Sequence, residues 1–210
     1  MKSEKVWDIF IRTFHWTLVG SMVGLYLSGD DFESLHIILG YFVMFLVLFR
    51  IIWGFIGTKH ARFHDFLYRP SKIYQYLKSL INGNPTHYIG HNPAGGLMVI
   101  VMLLSLLVTA FTGLKALDSE GKGLLTNTGI SIFRFAYADE DDDDDDDDQT
   151  YKTGHHQKNQ EDEFWEEIHE SMTCFMIFLI ITHLVGVIVS SWIHKENLIL
   201  AMINGRKKTL

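Results

Sequence analysis

The sequence predicts an all-α integral membrane protein, a four-helix bundle with its N- and C-termini in the cytoplasm. Three observations predict it. Four apolar stretches are each long enough to cross a hydrocarbon layer of ~30 Å. Lys and Arg are distributed unevenly between the connections. Four histidines stand at membrane depths and fall into two matched levels.

The apolar stretches run over about 11–29, 35–56, 94–117 and 164–194. Lipid offers the backbone no hydrogen bonds, so a span outside a closed barrel is helical. Trp7, Trp16, Tyr26, Trp53, Trp165 and Trp192 gather near the span edges, as an interfacial aromatic belt does. With the N-terminus inside, 13 of the 18 Lys and Arg residues fall on the cytoplasmic side, which satisfies the positive-inside bias. The opposite placement violates it.

The first connection, Asp30 to Ser34, is short and acidic, so the first two spans are antiparallel neighbours. The second connection, Gly57 to Asn92, is cytoplasmic. Within it SKIYQYLKSLI (Ser71 to Ile81) has apolar and aromatic residues at helical spacing. It reads as an amphipathic helix on the inner membrane surface, capped by Ser71 after Pro70. INGNPTHYIGHNP then leads through turns into the third span.

The chain has 210 residues, 48% of them hydrophobic, with a formal net charge of −7. One membrane domain covering 1–210 fits this mixture of very apolar and very acidic segments better than two soluble domains. The single cysteine, Cys174, excludes a disulfide framework, a cysteine-rich metal site and a CxxCH attachment motif. It is expected to be a small packing residue. The start, MKSEKVWDIFIRTFHW, does not read as a cleavable signal peptide, because acids stand among its bases and no small-residue cleavage site follows.

The third connection, 118–163, is an acidic periplasmic loop. It contains ten consecutive acids from Asp139 to Asp148, followed by TGHHQKNQEDE. Such a run repels itself and is expected to be partly disordered. It reads as a solvated spacer of variable length, with an electrostatic landing surface for a basic partner, or loose cation binding by Asp and His156, as the sharper alternatives.

Ionisable residues inside spans are costly and are functional candidates by default. His169 and His183 lie fourteen positions apart on the fourth span. That spacing puts them ~21 Å apart along the axis and only about 40° apart around it. The stated topology places His15 and His183 near the inner face, and His36 and His169 near the outer face. Two histidines facing across a bundle at one depth offer two axial nitrogens to a haem iron. Filling both axial positions suits electron transfer, since no position is left for oxygen chemistry. Small residues in the same spans (Gly20, Gly24, Gly40 and Gly186) leave room for a flat macrocycle, although close helix packing also uses such residues. A zinc site is a poor competitor, because it wants a compact tetrahedral cluster. Haem propionates want cations or donors. Arg12, Arg50 and His91 are candidates at the inner level and Lys115 at the outer, with snorkelling to headgroups the plain alternative for Arg50 and Lys115. His60, His64, His87, His155, His156 and His194 fall outside the spans and are expected to be solvated.

RTFHW (Arg12 to Trp16), LHIILGY (Leu35 to Tyr41), GHNPAGGL (Gly90 to Leu97) and the His169–His183 spacing together resemble the bacterial cytochrome b561 family. Within it they are most similar to the b-type cytochrome subunits of nickel–iron hydrogenases and their stand-alone relatives. The resemblance covers nearly the whole chain except the outer loop. It implies a multi-pass protein of the bacterial inner membrane that carries two haem b groups, with His15 and His183 binding the inner iron and His36 and His169 the outer one. It further implies quinone or quinol as substrate and electron exchange between the quinone pool and a periplasmic redox partner; the acidic outer loop suggests a basic c-type cytochrome as that partner. The alternative is the membrane-anchoring subunit of a hydrogenase or similar oxidoreductase. A second alternative is a haem-free metal-ion membrane transporter. No nucleic acid is expected among the partners.

Overall fold

The computed structural model describes residues 2–29, 31–83, 85–119, 122 and 160–209. The polyacidic run and the histidines beside it, His155 and His156, lie outside the described residues.

In chain order the described elements are β1 (Lys2–Lys5), α1 (Ile9–Ser28), α2 (Glu33–Ile56), a 3₁₀ turn (Phe63–Asp65), α3 (Pro70–Ile81), α4 (Pro93–Ser119), α5 (Gln160–His194), α6 (Leu198–Asn204) and β2 (Arg206–Thr209). Among them α2, α4 and Glu163–His194 of α5 are long and apolar enough to cross a membrane. The twenty residues of α1 match a span in length, but Arg12, Thr13, His15 and Thr17 make its first two turns more polar.

Helix starts follow local chemistry. Asp8 caps α1 by accepting from Ile11 N (2.8 Å). Its second oxygen accepts from Trp53 Nε1 (3.2 Å) and Thr58 Oγ1 (2.6 Å), tying the start of α1 to the end of α2. Asn92 Oδ1 accepts from Gly95 N (2.7 Å) at the start of α4. At α3 the expectation of a serine cap needs correction. Pro70 opens the helix itself with Arg69 at the N-cap, because a proline's fixed φ and missing N–H suit the first helical position. The amphipathic character of α3 is plain, with Tyr74, Leu77 and Ile81 exposed and Tyr76 buried.

The long helices pack as two pairs, α1 on α2 and α4 on α5, joined through α2 on α4. Val43, Val47, Leu103, Leu106 and Met176 form the buried seam, with Phe14, Leu18, Met22 and Leu25 of α1 packed against it. Close approach sets two contacts. A Cβ on Gly24 would lie 2.8 Å from Leu39 Cδ1, and one on Gly96 would lie 2.3 Å from Phe66 O. The outward faces stay apolar, with Phe45, Ile52, Leu104, Phe111, Phe178 and Ile188 all exposed, as lipid-facing helices require. Cys174 is exposed on α5 rather than packed inside.

Beyond His194 the chain does more than the sequence reading foresaw. After α6, Gly205 (φ +78°) reverses the backbone in the left-handed region. Strand β2 then pairs antiparallel with β1, matching Lys2 with Thr209, Ser3 with Lys208, Glu4 with Lys207 and Lys5 with Arg206.

Candidate functional site

The four span histidines meet in two pairs across the space between the helix pairs. The ring centres of His15 (α1) and His183 (α5) are 6.5 Å apart, and those of His36 (α2) and His169 (α5) are 6.3 Å apart. Two imidazoles bound to opposite sides of one metal ion through bonds of ~2 Å put their ring centres ~6 Å apart.

At the outer pair the ring orientations are fixed. His36 Nδ1 lies 3.1 Å from Leu25 O, and His169 Nδ1 lies 3.0 Å from Thr109 O. A carbonyl only accepts, so each Nδ1 carries the proton and each Nε2 keeps its lone pair free. Thr112 Oγ1 adds a second contact to His169 Nδ1 at 3.3 Å. Gly113 brings α4 close to that ring, since a Cβ there would lie 2.9 Å from His169 Cε1. At the inner pair His15 Nδ1 is buried without a hydrogen-bond partner.

The prokaryotic cytochrome b561 family matches residues 6–205. The chain belongs to that family. Three relatives share the description "Probable Ni/Fe-hydrogenase B-type cytochrome subunit". The Rhizobium leguminosarum protein is 27% identical over 58% of this chain and 62% of its own length. The Bradyrhizobium diazoefficiens protein is 22% identical over 97% of this chain and 85% of its own. The Azotobacter chroococcum protein is 30% identical over 56% of this chain and 60% of its own. The matched region thus spans less than two thirds of two of these relatives. No solved structure matches the chain.

A cytochrome b561 is a multi-pass, helical b-type cytochrome of electron transport, and it implies haem b. The residues present fit that group. Ring spacings at both levels suit a shared iron, and at the His36–His169 level each Nε2 keeps a free lone pair. Positions for a Cβ on Gly40 and on Gly186, one turn or less from His36 and His183, meet nothing within 4 Å, so there is room beside both levels. Among the described residues no group of three or more His, Cys, Asp or Glu is placed to hold a metal ion. Pairs are what the cytochrome offers.

Three of the candidates for holding carboxylates keep unpaired nitrogens. Arg12 Nε, Arg50 Nη1 and His91 Nδ1 are each buried without a hydrogen-bond partner. Arg50 does not snorkel. It is only 4% exposed, donates from Nη2 to Ala61 O (3.1 Å) and lies over the Phe63 ring. His91 packs between Trp7 and Phe66, both with ring centres at 4.5 Å. Burial, then the charges of Arg50, His60 and Lys207, lower its pKa to about 3, so it is neutral at physiological pH. Lys115 is half-buried near the C-terminal end of α4.

Two expectations about outlying histidines need correction. His87 is not simply solvated, because its Nε2 lies 2.8 Å from Glu196 Oε1 and its ring 5.3 Å from that of His194. His60 lines a cavity of about 150 Å³ with Lys59, Asp65, Tyr68 and His91. His64 is fully exposed, as expected. The sequence reading missed Glu196 and Gly205, which have no apolar period to mark them.

Proposed function

We propose that this chain is a di-haem cytochrome, a four-helix bundle of the bacterial inner membrane with both termini inside, passing electrons between the quinone pool and a periplasmic redox partner. The carrying observation is the meeting of the four span histidines as two pairs at 6.5 and 6.3 Å. The charge distribution of the connections supports the orientation, with the 118–163 loop outside.

When bound, each haem supplies one-electron exchange. The chain's residues do the rest. His36 and His169 present Nε2 in a tautomer held by the Leu25 and Thr109 carbonyls. His15 and His183 present their rings at the inner level. Arg12, Arg50 and His91 offer unpaired nitrogens to the inner haem's carboxylates. At each level the two histidines would hold one iron between them, and that group would supply one-electron exchange there.

The descriptions of the three relatives favour a second reading of the partner, in which the chain anchors a hydrogenase-like oxidoreductase instead of meeting a free c-type cytochrome. The acidic outer loop favours the free carrier. The haem-free transporter gives way to family membership.

The test is a pyridine haemochrome assay on the purified chain. About two acid-acetone-extractable haems per polypeptide are expected. One or none overturns the pairing. Co-purification of a large periplasmic enzyme selects the anchoring reading, and a soluble cytochrome reduced in a salt-dependent way selects the free carrier.

A further inference from the structure

The two helices that carry the inner histidines are not each other's main packing partners. Helix α1 rests on α2, and α5 rests on α4. They are linked through α2 on α4 and through the seam in which Phe14, Leu18 and Met22 of α1 pack with a cluster that includes Met176 of α5. At the His15 end of α1, the residues after α5 add direct contacts of their own.

Following α5, Lys195 takes a left-handed conformation (φ 52°) and α6 turns back under the bundle. Gly205 O accepts from both Val6 N (2.9 Å) and Trp7 N (3.2 Å), the residues just before α1. Arg12 Nη1, one turn into α1, donates to Ile203 O at 2.5 Å. The β1–β2 ladder extends the same grip over four residue pairs. The segment is anchored on its other side as well. Buried Lys207 donates from Nζ to Tyr88 O (2.6 Å) and pairs with Glu196 (3.2 Å), which also holds His87 (2.8 Å). Gly205 is where these contacts cross. Its φ of +78° favours glycine, and a Cβ there would lie 2.6 Å from Trp7 O and 3.2 Å from Arg12 Nε.

We infer that residues 198–209 are a positioning strap that holds α1 at a fixed distance from α5 and so sets His15 against His183 for the inner haem. The outer pair needs no such strap, because His36 and His169 are fixed by carbonyls of α1 and α4 within the bundle. The inference rests on the di-haem reading.

The test uses full-length Gly205→Val and a chain ending at Asn197, each compared with the unaltered protein. Haem count, redox titration and low-temperature EPR are the readouts. Gly205→Val is expected to shift the midpoint and EPR signal of the component that His183→Ala abolishes, while the other component stays unchanged. The shortened chain is expected to bind about half the haem of the parent, retaining the outer component. If the shortened chain does not fold, Gly205→Val decides alone. Unchanged signals in Gly205→Val, or equal changes at both levels, overturn the strap. A parent protein without two haems overturns the di-haem reading instead, and is seen before any variant is made.

Discussion

The two histidine levels use the same residue type at nearly the same ring spacing, yet they are held differently. At the outer level both rings donate to backbone carbonyls of neighbouring helices, and Gly113 presses α4 against His169. At the inner level His15 Nδ1 is buried with no partner, as are Arg12 Nε, Arg50 Nη1 and His91 Nδ1. Orientation at the outer level is built in by helix packing. At the His15–His183 level the strap of residues 198–209 takes that part. One scaffold thereby gives two histidine pairs that differ in how their rings are held, a lever on the potential of a haem bound there.

The largest effect should come from removing ligands. His36→Ala and His169→Ala are expected to lose one and the same spectral component, and His15→Ala and His183→Ala the other, with haem content falling from about two to about one per chain. Loss of the same component by His15→Ala and His169→Ala would contradict the pairing.

A smaller change sharpens the contrast. Gly113→Val places a Cβ 2.9 Å from the His169 ring and displaces it from its carbonyl. Outer haem affinity is expected to fall ~10-fold with the inner level unaffected, measured by haem titration of the apoprotein.

The inner level has its own handle in acid. His91 has a folded pKa of about 3, below the usual value of 6.5. Between those values the unfolded chain binds a proton that the folded chain refuses, so stability is full above pH ~6.5 and declines as pH falls towards ~3. His91→Asn is expected to flatten that decline in thermal melts across pH 4–7, and an unaltered slope would assign it elsewhere.

Smaller still is Thr112→Val. It removes one 3.3 Å contact to His169 and leaves the Thr109 carbonyl in place, so a loss below ~1 kcal/mol is expected in outer haem binding. Replacing Asp141 to Asp148 by Ser and Gly is expected to leave both haem spectra as they are. It should slow electron exchange with a basic carrier at low salt, read by stopped flow.

Much of this architecture was legible in the residues. Apolar length and the 3.6-residue period mark α2, α4 and α5, and the fourteen-residue spacing of His169 and His183 marks two levels on one face. Arg50 was harder, because a cation at a span end reads equally as snorkelling. Only the fold shows it turned inward to Ala61 O. The strap was invisible for a different reason. Its contacts are backbone bonds to Gly205 and Ile203, made across nearly the full chain, and no local pattern in IHKENLILAMINGRKK announces them. The role of Glu196 likewise depends on Lys207 and His87 arriving from distant segments.

The pairing of Lys2 with Thr209 also has a consequence in time. A ribosome adds ~5–20 residues per second and delivers the N-terminus first. Strand β1 therefore waits until every element between Lys5 and Arg206 has been made before its partner exists. Every residue of the His36–His169 level has been made once His169 has, while the clamp beside the other level closes only after residues 198–209 leave the ribosome. The His36–His169 level is thus complete before the His15–His183 level, and Lys2–Lys5 are among the last of these residues to find their neighbours.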